Sequence, residues 1–343
     1  MTDLTTRGAI DCVGHPVEAA RLLAAAFDEG RRLAVTAPAR DDHAHHVVVE
    51  FLHPVIAGTV ALPAVVVPSG QRGGDDDVVL AIGDLDGGAD LVIATDGEAD
   101  IMIAYHLLWE LVQLELADRP EAGGDSTSFL YPFLDGSTDD AGEHLRASAV
   151  AKVDESRQLA VESLAANAEM LERAASAVLS VAAPAGESGS VPSGRGRVLT
   201  MGNGGSATDA ARAVRLLRRL GVPAQSLAAD YAVLSALAND LGAERVFARQ
   251  VEAVGRVGDV LIGFSTSGTS ANLLAAFDEA KSRGLVTIGF AGYDGTGFAA
   301  HAAVDHTIAV SSQSVHRIQE AQAVLLDAMV AAVAAEIAER TTS

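Results

Sequence analysis

Residues 260–270 read Val-Leu-Ile-Gly-Phe-Ser-Thr-Ser-Gly-Thr-Ser. The first five form an unbroken apolar run, which is how a strand buried on both faces of a parallel sheet reads. The last six hold five hydroxyls around a single glycine, and the pattern then changes to helical spacing over residues 271–283. Capping the helix uses one hydroxyl. The other four, with the backbone N–H groups and the positive end of the helix dipole, make an acceptor site for a phosphate group.

The same junction occurs sixty residues earlier. Residues 198–201 are an apolar strand, residues 202–206 read Gly-Asn-Gly-Gly-Ser, and a helical pattern covers 207–220. Glycines there let backbone N–H groups come close to an anion at a helix N-terminus. Further short apolar runs at 286–290 and 307–310 alternate with helices at 271–283 and 316–337, and a long amphipathic helix over 143–181 precedes them all. Alternating strand and helix gives an α/β class: a parallel sheet in a three-layer sandwich.

The N-terminal half repeats the scheme in shortened form. It shows helix patterns at 16–29, 43–53 (stopped by Pro54) and 101–116, and strands at 33–36, 64–67, 78–82 and 91–94. Val260 and His306 are 46 positions apart, whereas Val78 and Leu91 are only 13 apart. The reading is an internal duplication whose first copy has lost a strand and its helix. Residues 119–142, rich in Gly, Pro and Asp, read as the linker between a domain at 1–118 and one at 143–339, and residues 182–197 as a long loop inside the second.

Composition narrows the partners. The chain has 343 residues, 49% of them hydrophobic and 20% charged, enough for two or three domains with a sizeable core. A net charge of −22 repels nucleic acid and anionic membrane surfaces, so neither is expected as a partner. A phosphorylated ligand would have to be captured by local donors. No uninterrupted apolar run reaches the ~20 residues of a membrane span. Arg7, Asp11, Glu18 and Arg21 break any leader-like apolar core. The single cysteine, Cys12, rules out a disulfide within the chain and fits the cytoplasm.

Other motifs join the two loops: Asp230, Leu237-Ala238-Asn239-Asp240, Val246-Phe247-Ala248-Arg249-Gln250, Gly258-Asp259-Val260-Leu261-Ile262 and Arg317-Ile318-Gln319-Glu320. In this order, over residues 198–334, they resemble the sugar-isomerase (SIS) domain family in its phosphoheptose isomerase branch. The resemblance implies a flavodoxin-like fold, here as two SIS-like copies with the first truncated, and homo-oligomers with active sites near subunit interfaces. It implies ketose–aldose isomerisation of sedoheptulose 7-phosphate to a heptose 7-phosphate. Its contacts with the phosphorylated sugar fall on Asn203, Gly204, Gly205, Asn239, Asp240, Ser265, Thr266, Ser267, Ser270 and Gln319. Ser206 and Thr269 complete the two loops, and Thr269 departs from the family's usual Asn. Relatives assemble from four single-domain copies, so a two-copy chain is expected as a homodimer.

The resemblance fails at the catalytic positions. Relatives hold a metal ion and supply acid and base from a His, a Glu four residues later, a Gln and a second His. Here these places are Arg212, Leu216, Gln319 and Asp327. Leu216 cannot move a proton and Arg212 cannot ligate a metal; Arg212 and Asp327 are expected to meet as an ion pair, within one chain or between neighbours. Aligning residues 33–36 with 198–201, with one inserted residue, brings His46 and Glu50 onto the missing His and Glu. Their i, i+4 spacing puts both on one helix face, as metal ligands with zinc as the metal, or as catalytic acid and base. His106 and Glu110 repeat the spacing on a later helix. The alternative is that His43, His45, His46 and His53 decorate a polar helix end and that His106 is a satisfied core residue. Asp84 and Asp86, within residues 83–88, replace the hydroxyl run in the first copy and would repel phosphate. Three functions compete: an isomerase whose active site is shared between the halves, a non-catalytic phosphosugar sensor, and an assembly or regulatory protein whose partner the acidic surface would suit.

Overall fold

Strands buried at every position need cover on both faces, and this requirement shapes both halves of the chain. The computed structural model describes residues 9–53, 61–68, 71, 74–83, 88–95, 97–117, 141–182 and 196–342. The chain forms two compact units, Met1–Ser156 and Arg157–Ser343. The division lies inside the long helix Ala141–Leu179 rather than in the residues ahead of it. Most of the expected linker and of the loop at 182–197 lies outside the described residues, as do Asp84 and Asp86.

The first unit runs β1 (Ile10–Asp11), α1 (Pro16–Asp28), β2 (Leu33–Thr36), α2 (Asp41–Leu52), β3 (Ala64–Val66), β4 (Val78–Ile82), β5 (Leu91–Ile93) and α3 (Glu98–Ala117). After α4 (Ala141–Leu179) come β6 (Val198–Gly202), α5 (Gly205–Arg219), β7 (Ala224–Ser226), α6 (Tyr231–Leu241) and α7 (Val246–Val254). The chain continues through β8 (Val260–Phe264), α8 (Ala271–Ser282), β9 (Val286–Ala291), α9 (Thr296–Ala299), β10 (His306–Ala309) and α10 (Val315–Thr342).

The second sheet has the order β10-β9-β8-β6-β7, all parallel. Numbered within the unit this is 2-1-3-4-5 read from β7, the flavodoxin order. Side chains alternate between two cores. Val198, Val260, Ile262 and Phe264 pack with Leu171 and Val178 of α4, Leu217 of α5 and Leu325 and Met329 of α10. Leu199, Met201 and Leu261 pack with Phe247 of α7 and Leu273 and Phe277 of α8. Helices on both faces of one sheet give the expected three layers. By length and composition α10 could cross a membrane, its best 18-residue window having a mean hydropathy of 1.7. It buries Ile318, Leu325, Leu326, Met329 and Val333 in the first of these cores, which accounts for that composition.

The first sheet is also five-stranded and parallel, ordered β1-β5-β4-β2-β3. The expectation that this copy lacks a strand is therefore corrected. β1, two residues long and too short to show a periodicity, enters ahead of α1 and takes the edge place that β10 holds in the other sheet. What differs instead is the length of a connection. Eight residues join β4 to β5, where 21 join β8 to β9 and include α8. Cys12, next to β1, is buried, and burial pushes its thiol up to about 12, so it stays protonated and unreactive at neutral pH.

The two units share one backbone detail. Gly204, three residues beyond Met201 in β6, has φ +55°, and Ala39, three residues beyond Thr36 in β2, has φ +60°. The left-handed region is natural for glycine but costs an alanine roughly 1–2 kcal/mol. Ala39→Gly should therefore raise the stability of the first unit by about 0.5–1 kcal/mol, after allowing for glycine's larger unfolded-state entropy. Urea unfolding reads this as a higher midpoint, and a lower midpoint would contradict it.

Candidate functional site

In a doubly wound sheet, ligands bind beyond the carboxyl ends of the two strands where the winding reverses. Here those strands are β6 and β8, which pair in register from Val198↔Val260 to Gly202↔Phe264. The glycine loop and the hydroxyl loop therefore leave the sheet side by side. The hydroxyl loop is internally fixed. Ser265 Oγ accepts from the Gly268 N–H at 3.0 Å, and Ser267 Oγ accepts from the Thr269 N–H at 3.3 Å and from Thr269 Oγ1 at 3.1 Å. Gly268 sits at φ +67° with Ala291 and the Phe298 backbone 3.3 Å from where a Cβ would stand, so glycine is required there. Ser270 occupies the N-cap of α8 but its side chain makes no capping bond. The hydroxyl density is thus not explained by capping.

Two positioning residues escaped the sequence reading. Asn272, on the first turn of α8, exchanges two hydrogen bonds with Asn203 of the glycine loop, at 3.0 and 2.9 Å, and so clasps the loops together. Gln322 of α10, 1% exposed, donates to the Ser265 carbonyl at 3.0 Å. Gln319 lies on the same helix one turn earlier and is buried. The structure therefore brings Asn203, Gly204, Gly205, Ser206 and residues 265–270 to one place, with α10 anchored beneath them. Asn239 and Asp240 do not join this group among the described contacts. They sit at the exposed end of α6, where the Asn239 amide donates to Asp240.

The residues at 212, 216 and 327 do not suit a metal in the second unit. Arg212 is 1% exposed, and one guanidinium nitrogen, Nη2, donates to the Ala323 carbonyl at 2.8 Å and to Asp327 Oδ1 at 2.6 Å. A fixed cation there repels a metal, and Leu216 packs at the edge of the apolar core. The expected Arg212–Asp327 ion pair forms within one chain. Asp327 is thereby engaged as a counter-ion.

The first unit gathers polar side chains in its interior. His46 and Glu50 on α2 and His106 on α3 are 1%, 4% and 1% exposed, and their ligating atoms all lie within 4.8 Å of one another. His46 Nε2 and Glu50 Oε1 are 3.4 Å apart. The rings of His46 and His106 meet edge-on at 5.3 Å, both against Tyr105. Nearby, His43 Nε2 meets Glu98 Oε2 at 2.7 Å, with Arg40 Nε 3.8 Å from the other Glu98 oxygen. Glu110 pairs with Lys152 of α4. Of the histidines read as a decorated helix end, His43 and His46 are buried, while His45 and His53 are exposed.

The 2-1-3-4-5 sheet with these loops at its switch point is a flavodoxin-like fold, and comparison with known proteins gives its family. Residues 153–292 match the SIS domain. The phosphoheptose isomerase of Roseiflexus sp. (strain RS-1) is 47% identical over 152 residues, which are 43% of this chain and 74% of the relative. The structure of phosphoheptose isomerase from Neisseria gonorrhoeae superposes with a TM-score of 0.50 at 33% identity, covering 56% of this chain and 99% of that one. The C-terminal domain of glucosamine-fructose-6-phosphate aminotransferase from Francisella tularensis covers 95% of both chains with a TM-score of 0.55 at 10% identity, a likeness of fold alone. The chain belongs to the SIS domain family, in its phosphoheptose isomerase branch.

Removing one partner of a buried ion pair costs more than replacing both. Asp327→Ala should destabilise the second unit by about 2 kcal/mol, moderated because the Asp327 side chain is 38% exposed. Arg212→Met with Asp327→Leu should recover most of that loss. Chemical denaturation of the single and double variants checks this, and additive losses would refute it.

Proposed function

We propose that the second unit binds a phosphorylated sugar, its phosphate on residues 265–270 and its sugar end toward the glycine loop, and that the chain is a ketose–aldose isomerase acting on sedoheptulose 7-phosphate. The observation that carries this is the pair of loops side by side at the β6–β8 switch point, in a domain 47% identical to a phosphoheptose isomerase. In a −22 chain, capture of a phosphate rests on short-range donors, and this loop concentrates them.

Isomerisation removes a proton from the carbon beside the ketose carbonyl, passes through an enediolate, and returns a proton to the former carbonyl carbon. It needs a base and a group that steadies the enediolate oxygen. Arg212 and Leu216 supply no base. Among the described residues His46 and Glu50 have the chemistry of an acid and a base, and the Glu50→Gln variant below tests that role. The reading includes a cytoplasmic homodimer. Supporting assembly, α6 buries none of its residues and leaves Tyr231, Val233 and Leu241 exposed.

The Arg212–Asp327 ion pair favours a second reading, a phosphosugar sensor that binds without turnover. Calorimetric titration with sedoheptulose 7-phosphate tests the binding that both share. Ser265→Ala and Ser267→Ala should each weaken it by about 1–2 kcal/mol, and equal affinity in the double variant would sink the phosphate assignment. Glu50→Gln separates the two readings. It should cut the isomerisation rate ~10²-fold or more while leaving affinity nearly intact. Wild-type protein that binds the sugar and never converts it leaves the sensor.

A further inference from the structure

Exposed polar side chains have water as a partner, so burial does not force two of them to bond to each other. Asn203 is exposed and Asn272 half-buried, yet their amides bond in both directions. Asn203 Nδ2 donates to Asn272 Oδ1 at 3.0 Å, and Asn272 Nδ2 donates to Asn203 Oδ1 at 2.9 Å. The two residues lie 69 positions apart and belong to the two loops of the candidate sugar site. Asn203 stands between Gly202, where a Cβ would meet the Ser206 carbonyl at 2.2 Å, and Gly204 at φ +55°. Asn272 is on the first turn of α8, directly after the hydroxyl loop. Backbone that the sheet holds in place therefore carries both ends of the pair.

A primary amide offers two N–H donors and two acceptor lone pairs. The reciprocal pair uses one of each on either side, so Asn203 keeps one N–H and one lone pair for a ligand. The amide torsion of a lone asparagine is broad and roughly two-fold, so it turns over at little cost and exchanges donor for acceptor. In the pair, turning one amide alone sets oxygen against oxygen and nitrogen against nitrogen. Both bonds are then lost, which disfavours the turned form by roughly tenfold or more. We infer that Asn272 is a positioning residue for recognition of the sugar: it holds the Asn203 amide so that the glycine loop presents one donor and one acceptor at fixed places. Sugar hydroxyls suit such a group, because each both donates and accepts. The inference rests on the reading that the sugar end lies toward the glycine loop. The hydroxyl loop is fixed by other bonds, those of Ser265, Ser267 and Gln322, none of which involves Asn272. Loss of Asn272 therefore separates sugar recognition from phosphate recognition.

The test is calorimetric titration of the full chain with sedoheptulose 7-phosphate and, separately, with inorganic phosphate. Asn272→Ala should weaken the phosphosugar by about tenfold, the loss expected when a preorganised contact is released, and leave inorganic phosphate unchanged. Asn203→Ala should weaken the phosphosugar at least as much. In the Asn203→Ala background Asn272→Ala should add nothing, since a residue that acts only through another loses its effect once that one is gone. Asn272→Leu, close in size and unable to donate or accept, repeats the test should the alanine variant fail to fold. Unchanged phosphosugar affinity in Asn272→Ala, equal losses for both ligands, or additive effects of the two alanine changes would overturn the inference and leave the sugar site standing. A wild-type chain that binds inorganic phosphate and no phosphosugar would remove the reading and the inference together.

Discussion

The parallel pairing of β6 with β8 is the constraint from which the candidate sugar site follows. Five residue pairs, from Val198↔Val260 to Gly202↔Phe264, bring both strands to the same edge of the sheet at the same height. Because the winding reverses between them, the loop after each strand turns into a helix beginning there, and two helix N-termini converge. The Asn203–Asn272 clasp then joins the loops, and Gln322 holds the start of the hydroxyl loop from α10. No single residue makes the anion site. The candidate site consists of backbone N–H groups and hydroxyls whose positions the sheet dictates, the short-range donors that phosphate capture by a strongly acidic chain requires.

The two units solve the same electrostatic problem differently. On α5, facing α10, a guanidinium and a carboxylate neutralise each other, with Nη2 also donating to the Ala323 carbonyl. On α2, facing α3, two imidazoles and a carboxylate gather with their polar atoms within 4.8 Å of one another. Helices at corresponding places in the two sheets thus present opposite chemistry. Ala39 adopts a positive φ at the position in its unit that Gly204 holds in the other, without glycine's freedom. The edge strand shows similar latitude: β1 fills the place of β10 from the other end of the unit, since an edge position needs only one hydrogen-bonding neighbour.

Much of this was legible in the residues themselves. Short, largely apolar runs bounded by glycines and hydroxyls mark β6, β8 and β9, because a strand covered on both faces has little polar side to show. Hydroxyl density at 265–270 marks the candidate anion site because side-chain chemistry there is local and needs no partner distant in sequence. The substitutions at Arg212, Leu216 and Asp327 were visible for the same reason. Tertiary structure alone decided the rest. β1 is too short to carry a period, so only its pairing with β5 reveals a fifth strand. The i, i+4 spacing of His46 and Glu50 marks a helix face, but a face can be wet or buried, and packing makes it buried. His106 lies sixty residues from His46 and reaches it only because α3 packs on α2. Asn272 and Gln322 read as ordinary helix residues until the sheet sets their loops within reach. Local chemistry is written residue by residue, whereas burial and long-range convergence depend on how the covered sheet places its helices.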